Sequence, residues 1–238
     1  MAHEGFGTLA EARSRTLAQE QAAAFLRRVY WWMTVGLGVT GAAAWAVAVS
    51  PGMQRLIFGN QIVFFGLILA ELALVFTLSA RAERMSVQGA TGTFLVYSFL
   101  NGLTLSAVFM VYTAGSITSV FFITAGTFAA TSLWAYTTKR NLASWGSFFF
   151  MGLIGIIIAS LVNLFLKSPA LYWAISYIGV FVFVGLTAYD TQRITLMGAQ
   201  GFGDEAVATK TSVVGALILY LDFVNLFLML LRIFGRRD

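Results

Sequence analysis

The chain has 238 residues, of which 59% are hydrophobic and only 11% charged, with a mean hydropathy of +0.82. A soluble domain carries about 25% charged residues, so this is an integral membrane protein. The net charge of +5 is topology information rather than a nucleic-acid signature, because the basic residues stand at the ends of apolar runs. There is no cysteine, which excludes disulfides, thiol catalysis and cysteine-ligated zinc. The single histidine, His3, leaves no base for a serine triad or a histidine metal site in the body of the chain.

Residues 1–28 form a polar N-terminal tail with Glu4, Glu11, Arg13, Arg15, Glu20, Arg27 and Arg28. From Thr8 onward it has good helix formers, suited to a short helix on the membrane surface or to a partly disordered arm. Ala46–Ala48 loosely imitates a cleavage site, but the tail is too long and too mixed in charge for a signal-peptide leader, and the first apolar run is read as retained.

Seven apolar runs follow within a single domain, 29–238. They are Val29–Val49, Ile57–Ala80, Ala90–Tyr112, Ile117–Thr138, Trp145–Leu166, Ala170–Ile194 and Ser212–Phe234. About 20 apolar residues cross a hydrocarbon core, so each run is a transmembrane helix. No segment alternates like a strand, and the fold class is all-α. Pro51 and Pro169 read as loop residues on one side. Gly36, Gly38, Gly41, Gly152 and Gly155 read as close helix contacts.

Counting Lys and Arg sets the orientation. With the N-terminus inside, Arg13, Arg15, Arg27, Arg28, Arg81, Arg84, Lys139, Arg140, Arg193 and Lys210 are inner, and only Arg55 and Lys167 are outer. Arg232, Arg236 and Arg237 break the pattern if the last run crosses fully. A full crossing is nonetheless the reading, because the run is unbroken and free of proline.

The intramembrane acids are the functional candidates, since a charged group at that depth costs a few kcal/mol. Glu71 lies ten residues before Arg81, about 15 Å below the inner boundary, and Asp222 lies twelve past Lys210, about 18 Å. Asp190 ends the sixth run, with Arg193 three residues on. Asn225 shares a helical face with Asp222, and Asn101, Thr104, Ser106 and Asn163 are polar groups able to line a path or join helices.

The motifs Thr187–Gln192 (TAYDTQ) and Leu219–Phe227 (LYLDFVNLF), with Glu71–Arg81 and Ser98–Ser106, resemble those of the Bax inhibitor-1 (TMBIM) family, its bacterial members above all. The resemblance covers residues 25–236. It implies two three-helix layers around a central seventh helix, in a multi-pass protein of the bacterial inner membrane with a cytoplasmic N-terminus. It also implies a pH-sensitive calcium leak gated by a hydrogen-bonded aspartate pair, Asp190 and Asp222, with an arginine latch. Arg81 is the latch candidate and Arg84 the alternative. Glu71 is the acid of the ion path, with Asn101 and Asn225.

Two carboxylates in hydrogen-bond reach at a poorly solvated site cannot both ionise cheaply, so they share a proton and can sense cytoplasmic pH without histidine. Glu71 and Asp222 offer hard oxygen ligands for transported Ca²⁺, with no permanently bound cofactor. The pair can meet only if the sixth helix continues past Arg193 to Met197 or beyond, with Gly198 and Gly201 as stop signals, or if the seventh starts well inside the cytoplasm; the first is the expectation. Beside the lipid bilayer and calcium ions, the partner reading is a membrane protein such as a membrane protease or a cell-death factor, contacted through the 1–28 tail. No nucleic-acid partner is read. The enzyme alternative is an intramembrane aspartyl protease, but the second acid stands in YLD where such enzymes show GxGD, so no catalytic residue is assigned.

Overall fold

The computed structural model describes the backbone of residues 2–237 and the side chains of 13–237. The side chains of the first twelve residues, His3, Glu4 and Glu11 among them, lie outside the described residues. Helix α1 runs Ala2–Ala48, α2 Pro51–Phe58, α3 Gln61–Arg81, α4 Val87–Leu105, α5 Ala114–Thr137, α6 Ala143–Leu166, α7 Pro169–Ala199 and α8 Glu205–Phe234. Apart from α2, seven helices are long and apolar enough to cross a membrane. Among the described residues the only β-type pairing is one isolated bridge, Tyr112 with Arg237.

Several boundaries differ from the sequence reading for local reasons. The tail is helical and continuous with the first span, so it forms no separate surface helix; its part near Ala22, Phe25 and Leu26 is buried. The second run divides, because Ser50 caps α2 at Met53 N and Asn60 caps α3 at Ile62 N and Val63 N. Pro51 and Pro169 are not loop residues. Both occupy the first turn of a helix behind a serine cap, where the missing N–H has no intrahelical role. The third run tightens into a 3₁₀ segment over Ser106–Met110.

Helices α1, α3 and α4 pack as one layer and α5, α6 and α7 as the other, with α8 between them. Helix α8 takes the centre because it carries polar groups on opposite sides, Tyr220 and Asp222, which are costly against lipid and need protein on both faces. Val213, Ala216, Leu219, Tyr220 and Leu226 are wholly buried, whereas α3 and α6 show Ile62, Phe76, Leu164 and Phe165 outward to lipid.

Close helix crossings fall at glycines, though not at the expected set. Gly36 faces the Phe94 ring and Gly152 faces Val182, so these two permit close approach. Gly38, Gly41 and Gly155 face open space instead. Periodic spacing marks a face, but only the neighbour decides whether a side chain would fit. Gly102, Gly146, Gly179 and Gly185 are further tight positions between helices.

Helix α7 continues beyond Arg193 to Ala199. Gly198 does not end it: Gly198 is a packing site inside the helix, against Phe25 and Ala22 of α1. Gly201 is the stop, at φ +70°, with its N–H donated to the Gly198 carbonyl. A β-carbon in that left-handed conformation costs about 1 kcal/mol. Gly201→Ala should therefore lower stability by about that amount in thermal unfolding of the solubilised protein, and Gly203→Ala should be close to neutral.

The two ends of the bundle are distinct. At one end Arg28 pairs with Glu205 at 2.6 Å and Lys210 donates to the Glu83 carbonyl. At the other, Thr113 N donates to the Arg236 carbonyl and Arg236 N to Ser116 Oγ. Helix α8 thus crosses completely, and its tail lies at the end opposite the polar part of α1.

Candidate functional site

The polar interior divides into two sites that α8 separates. Tyr220 and Asp222 stand two residues apart on this helix, about 200° around its axis, so they face opposite layers.

On the first face, Glu71 of α3 is half-buried and accepts from Asn101 Nδ2 at 3.1 Å and Thr104 Oγ1 at 2.9 Å, both on α4. Tyr220 of α8 donates its hydroxyl proton to Asn101 Oδ1 at 2.9 Å. The Tyr220 oxygen also lies 2.6 Å from Thr40 Oγ1 of α1, which reaches the Ser98 carbonyl at 2.8 Å. Four helices therefore converge on one chain of hydrogen bonds, Thr40–Tyr220–Asn101–Glu71. Tyr220 is wholly buried and gripped edge-on by Phe94 and Tyr97, so its hydroxyl has little freedom to turn away. Asn101 is the hub, with amide and carbonyl both engaged.

On the second face, Asp222 is 6% exposed and its Oδ2 is fully buried with no hydrogen-bond partner. The neighbouring charge it interacts with is Asp190 of α7, itself 8% exposed. Asp190 in turn interacts with Arg193, one helical turn further along. Behind it, Thr191 donates to Ser132 of α5 at 3.3 Å, and Gln192 holds the start of α6 by accepting from Leu142 N and donating to the Arg140 carbonyl. These contacts fix the rotation of α7 that turns Asp190 inward.

Other residues named from sequence fall elsewhere. Arg81 and Arg84 are exposed at the end of α3, and among the described residues neither makes an ion pair with an aspartate. Asn225 donates to its own helix, at the Leu221 carbonyl, and does not join the Glu71 cluster. Asn163 accepts from Ser168 N and shapes the α6–α7 turn. Glu71 and Asp222 do not form one ligand set: the donors on Glu71 come from α4, and the acid beside Asp222 is Asp190. Among the described residues no group of three or more His, Cys, Asp or Glu side chains converges. Tyr220 and Thr40 were missed, because a tyrosine in LILYLDF and a threonine beside an alanine run look like ordinary packing residues. The pairing of the Ser98 stretch with the LYLDF stretch was the available signal.

A central helix flanked by two three-helix layers, with one carboxylate in a polar cluster on one face and two acids on the other, defines a seven-span membrane protein with acidic sites in its interior. The chain belongs to the Bax inhibitor-1 family: the family described as "Inhibitor of apoptosis-promoting Bax1" (Bax1-I) matches residues 22–238. It is 54% identical over 228 residues to the inner membrane protein YbhL of Escherichia coli K12, covering 94% of this chain and 97% of that one. An uncharacterised protein of Borreliella burgdorferi is 46% identical over 213 residues, covering 90% and 92%. Another, from Deinococcus radiodurans, is 41% identical over 230 residues, covering 97% of each chain.

Proposed function

We propose that this protein is a pH-sensitive calcium leak of the bacterial inner membrane, with its N-terminus in the cytoplasm and the Asp190/Asp222 pair as its proton sensor. The observation that carries this reading is the buried Asp222 Oδ2, which has no hydrogen-bond partner among the described residues and interacts with a second acid, Asp190, across the α7–α8 contact. A carboxylate oxygen in that position needs a proton or a cation to be tolerable. A proton held between the two acids bridges α7 and α8, and its loss sets two negative charges against each other. That change biases the helix contact, which is the requirement for a gate.

Glu71 supplies the acid of the ion path on the other face. One carboxylate held by two neutral donors keeps lone pairs for a passing cation and binds it weakly, as conduction demands. Arg193 is the cation beside Asp190, and a latch role for Arg81 would require the end of α3 to move toward the pair.

Calcium flux into proteoliposomes tests the reading. Wild-type flux should change by about tenfold or more between about pH 5 and pH 9. Asp190→Asn and Asp222→Asn should each flatten that profile. An unaltered profile in both variants removes the sensor.

A further inference from the structure

Charge at the end of the bundle that holds the C-terminal tail, the outer end in the orientation proposed above, points to a ligand that the proposed leak does not use. Among the described residues this end carries Arg55, Lys167, Arg232, Arg236 and Arg237 and no aspartate or glutamate. Three of these cations, Lys167, Arg232 and Arg237, line one cavity of about 540 Å³ with Ser168, Tyr172 and Trp173. The Arg232 and Arg237 guanidinium carbons lie 5.6 and 5.5 Å from the centre of the same Tyr172 ring, and Arg237 Nη2 donates to the Tyr172 hydroxyl at 2.8 Å. Cation–π contacts orient the two arginines but supply no counter-charge, and among the described residues no carboxylate pairs with either. Like charges gathered this closely repel unless an anion sits between them. Lys167 adds the third charge from a left-handed turn, φ 50°, where glycine would be less strained.

The cavity lies at the level of a membrane interface. Just before Lys167, α6 ends in Leu164, Phe165 and Leu166, which are 67, 83 and 65% exposed and face lipid. Trp173 and Tyr172 are of the type that settles at headgroup depth. A volume of this size accommodates a phosphate and its glycerol ester. Guanidinium forks match phosphate oxygens two by two.

We infer that this cavity binds the headgroup phosphate of an anionic phospholipid from the outer leaflet, its acyl chains lying along the end of α6. The site also accounts for basic residues on a face where the orientation rule expects few: the bound lipid neutralises them.

Native mass spectrometry of the full-length protein, titrated with phosphatidylglycerol or with phosphatidylcholine of the same acyl chains, tests the inference. At about fivefold per cation, the three cations should make phosphatidylglycerol bind about a hundredfold more tightly than phosphatidylcholine. Lys167→Gln with Arg232→Gln should reduce that preference to about fivefold, and Arg55→Gln, outside the cavity, should leave it intact. The exposed single changes Lys167→Gln and Arg237→Gln, which disturb no helix, should each lower it by about fivefold. Equal binding of the two lipids, a preference that survives the cavity substitutions, or equal loss in Arg55→Gln overturns the site. Displacement of phosphatidylglycerol by millimolar inorganic phosphate also overturns it, in favour of a free-phosphate site. Calcium flux is not the readout, so the outcome is separable from that of the leak.

Discussion

Gly102→Leu is expected to cost 3 kcal/mol or more, at about the top of the overpacking range, and to lower the thermal stability of the solubilised protein by many degrees. A β-carbon at Gly102 would lie 2.5 Å from the Thr40 carbonyl oxygen and 2.7 Å from the Ala43 β-carbon. The first of these is backbone and cannot swing aside, so α4 and α1 would have to separate. Separation would also pull Thr40 from the Ser98 carbonyl and the Tyr220 hydroxyl, leaving buried polar groups unpaired. Gly41→Leu places the same side chain on the same helix as Thr40 but into open space, and should be tolerated. Equal unfolding temperatures for the two variants would show that the α1–α4 crossing is not held at Gly102.

Glu71→Ala is expected to lower calcium flux by about tenfold or more without displacing its pH midpoint. The carboxylate is the only charge in its cluster, and its removal leaves Asn101 and Thr104 donating into a space with no anion. A cation crossing there would lose its main compensation for dehydration. The proposed sensor pair lies around the helix axis on the Asp222 side, with no hydrogen bond to the Glu71 cluster among the described residues, so its titration should persist. Flux measured in proteoliposomes at several pH values separates the two effects. A shifted midpoint with unchanged maximal flux would make Glu71 part of the sensor instead.

Much of this organisation was legible in the chain. The seven runs were long and free of internal proline, and the glycines after Met197 allowed α7 the length that brings Asp190 toward Asp222. The acids stood out because charge is so scarce in the spans. What was hidden depends on helix rotation. Asn225 shares a face with Asp222 by spacing, yet its amide turns back to Leu221 because its own backbone offers the nearer acceptor. Thr40 gives no signal until α1 is seen to cross α4 beside Tyr220. Gly36 and Gly38 are alike on paper, and only the Phe94 ring distinguishes them. The Arg232–Arg237 tail looked like an error in topology because sequence does not display the Tyr172 ring waiting at the same end.

The clasps between layers fix where the molecule can part. Helices α1 and α8 are joined twice, by Arg28 with Glu205 and by Thr40 with Tyr220, and those joints lie twelve residues or about 18 Å apart along α1. The two helices must tilt as a single rod. Gln192 and Thr191 tie α7 to its own companions α5 and α6. The polar ties described between that trio and α8 all sit by the C-terminal tail, at Thr113, Ser116 and Tyr172. The bundle is thus built like a clothes-peg, pinned by hydrogen bonds at the tail and closed at the opposite mouth by apolar packing of Gly198 on Phe25 and Ala22, with Asp190 and Asp222 on the two jaws.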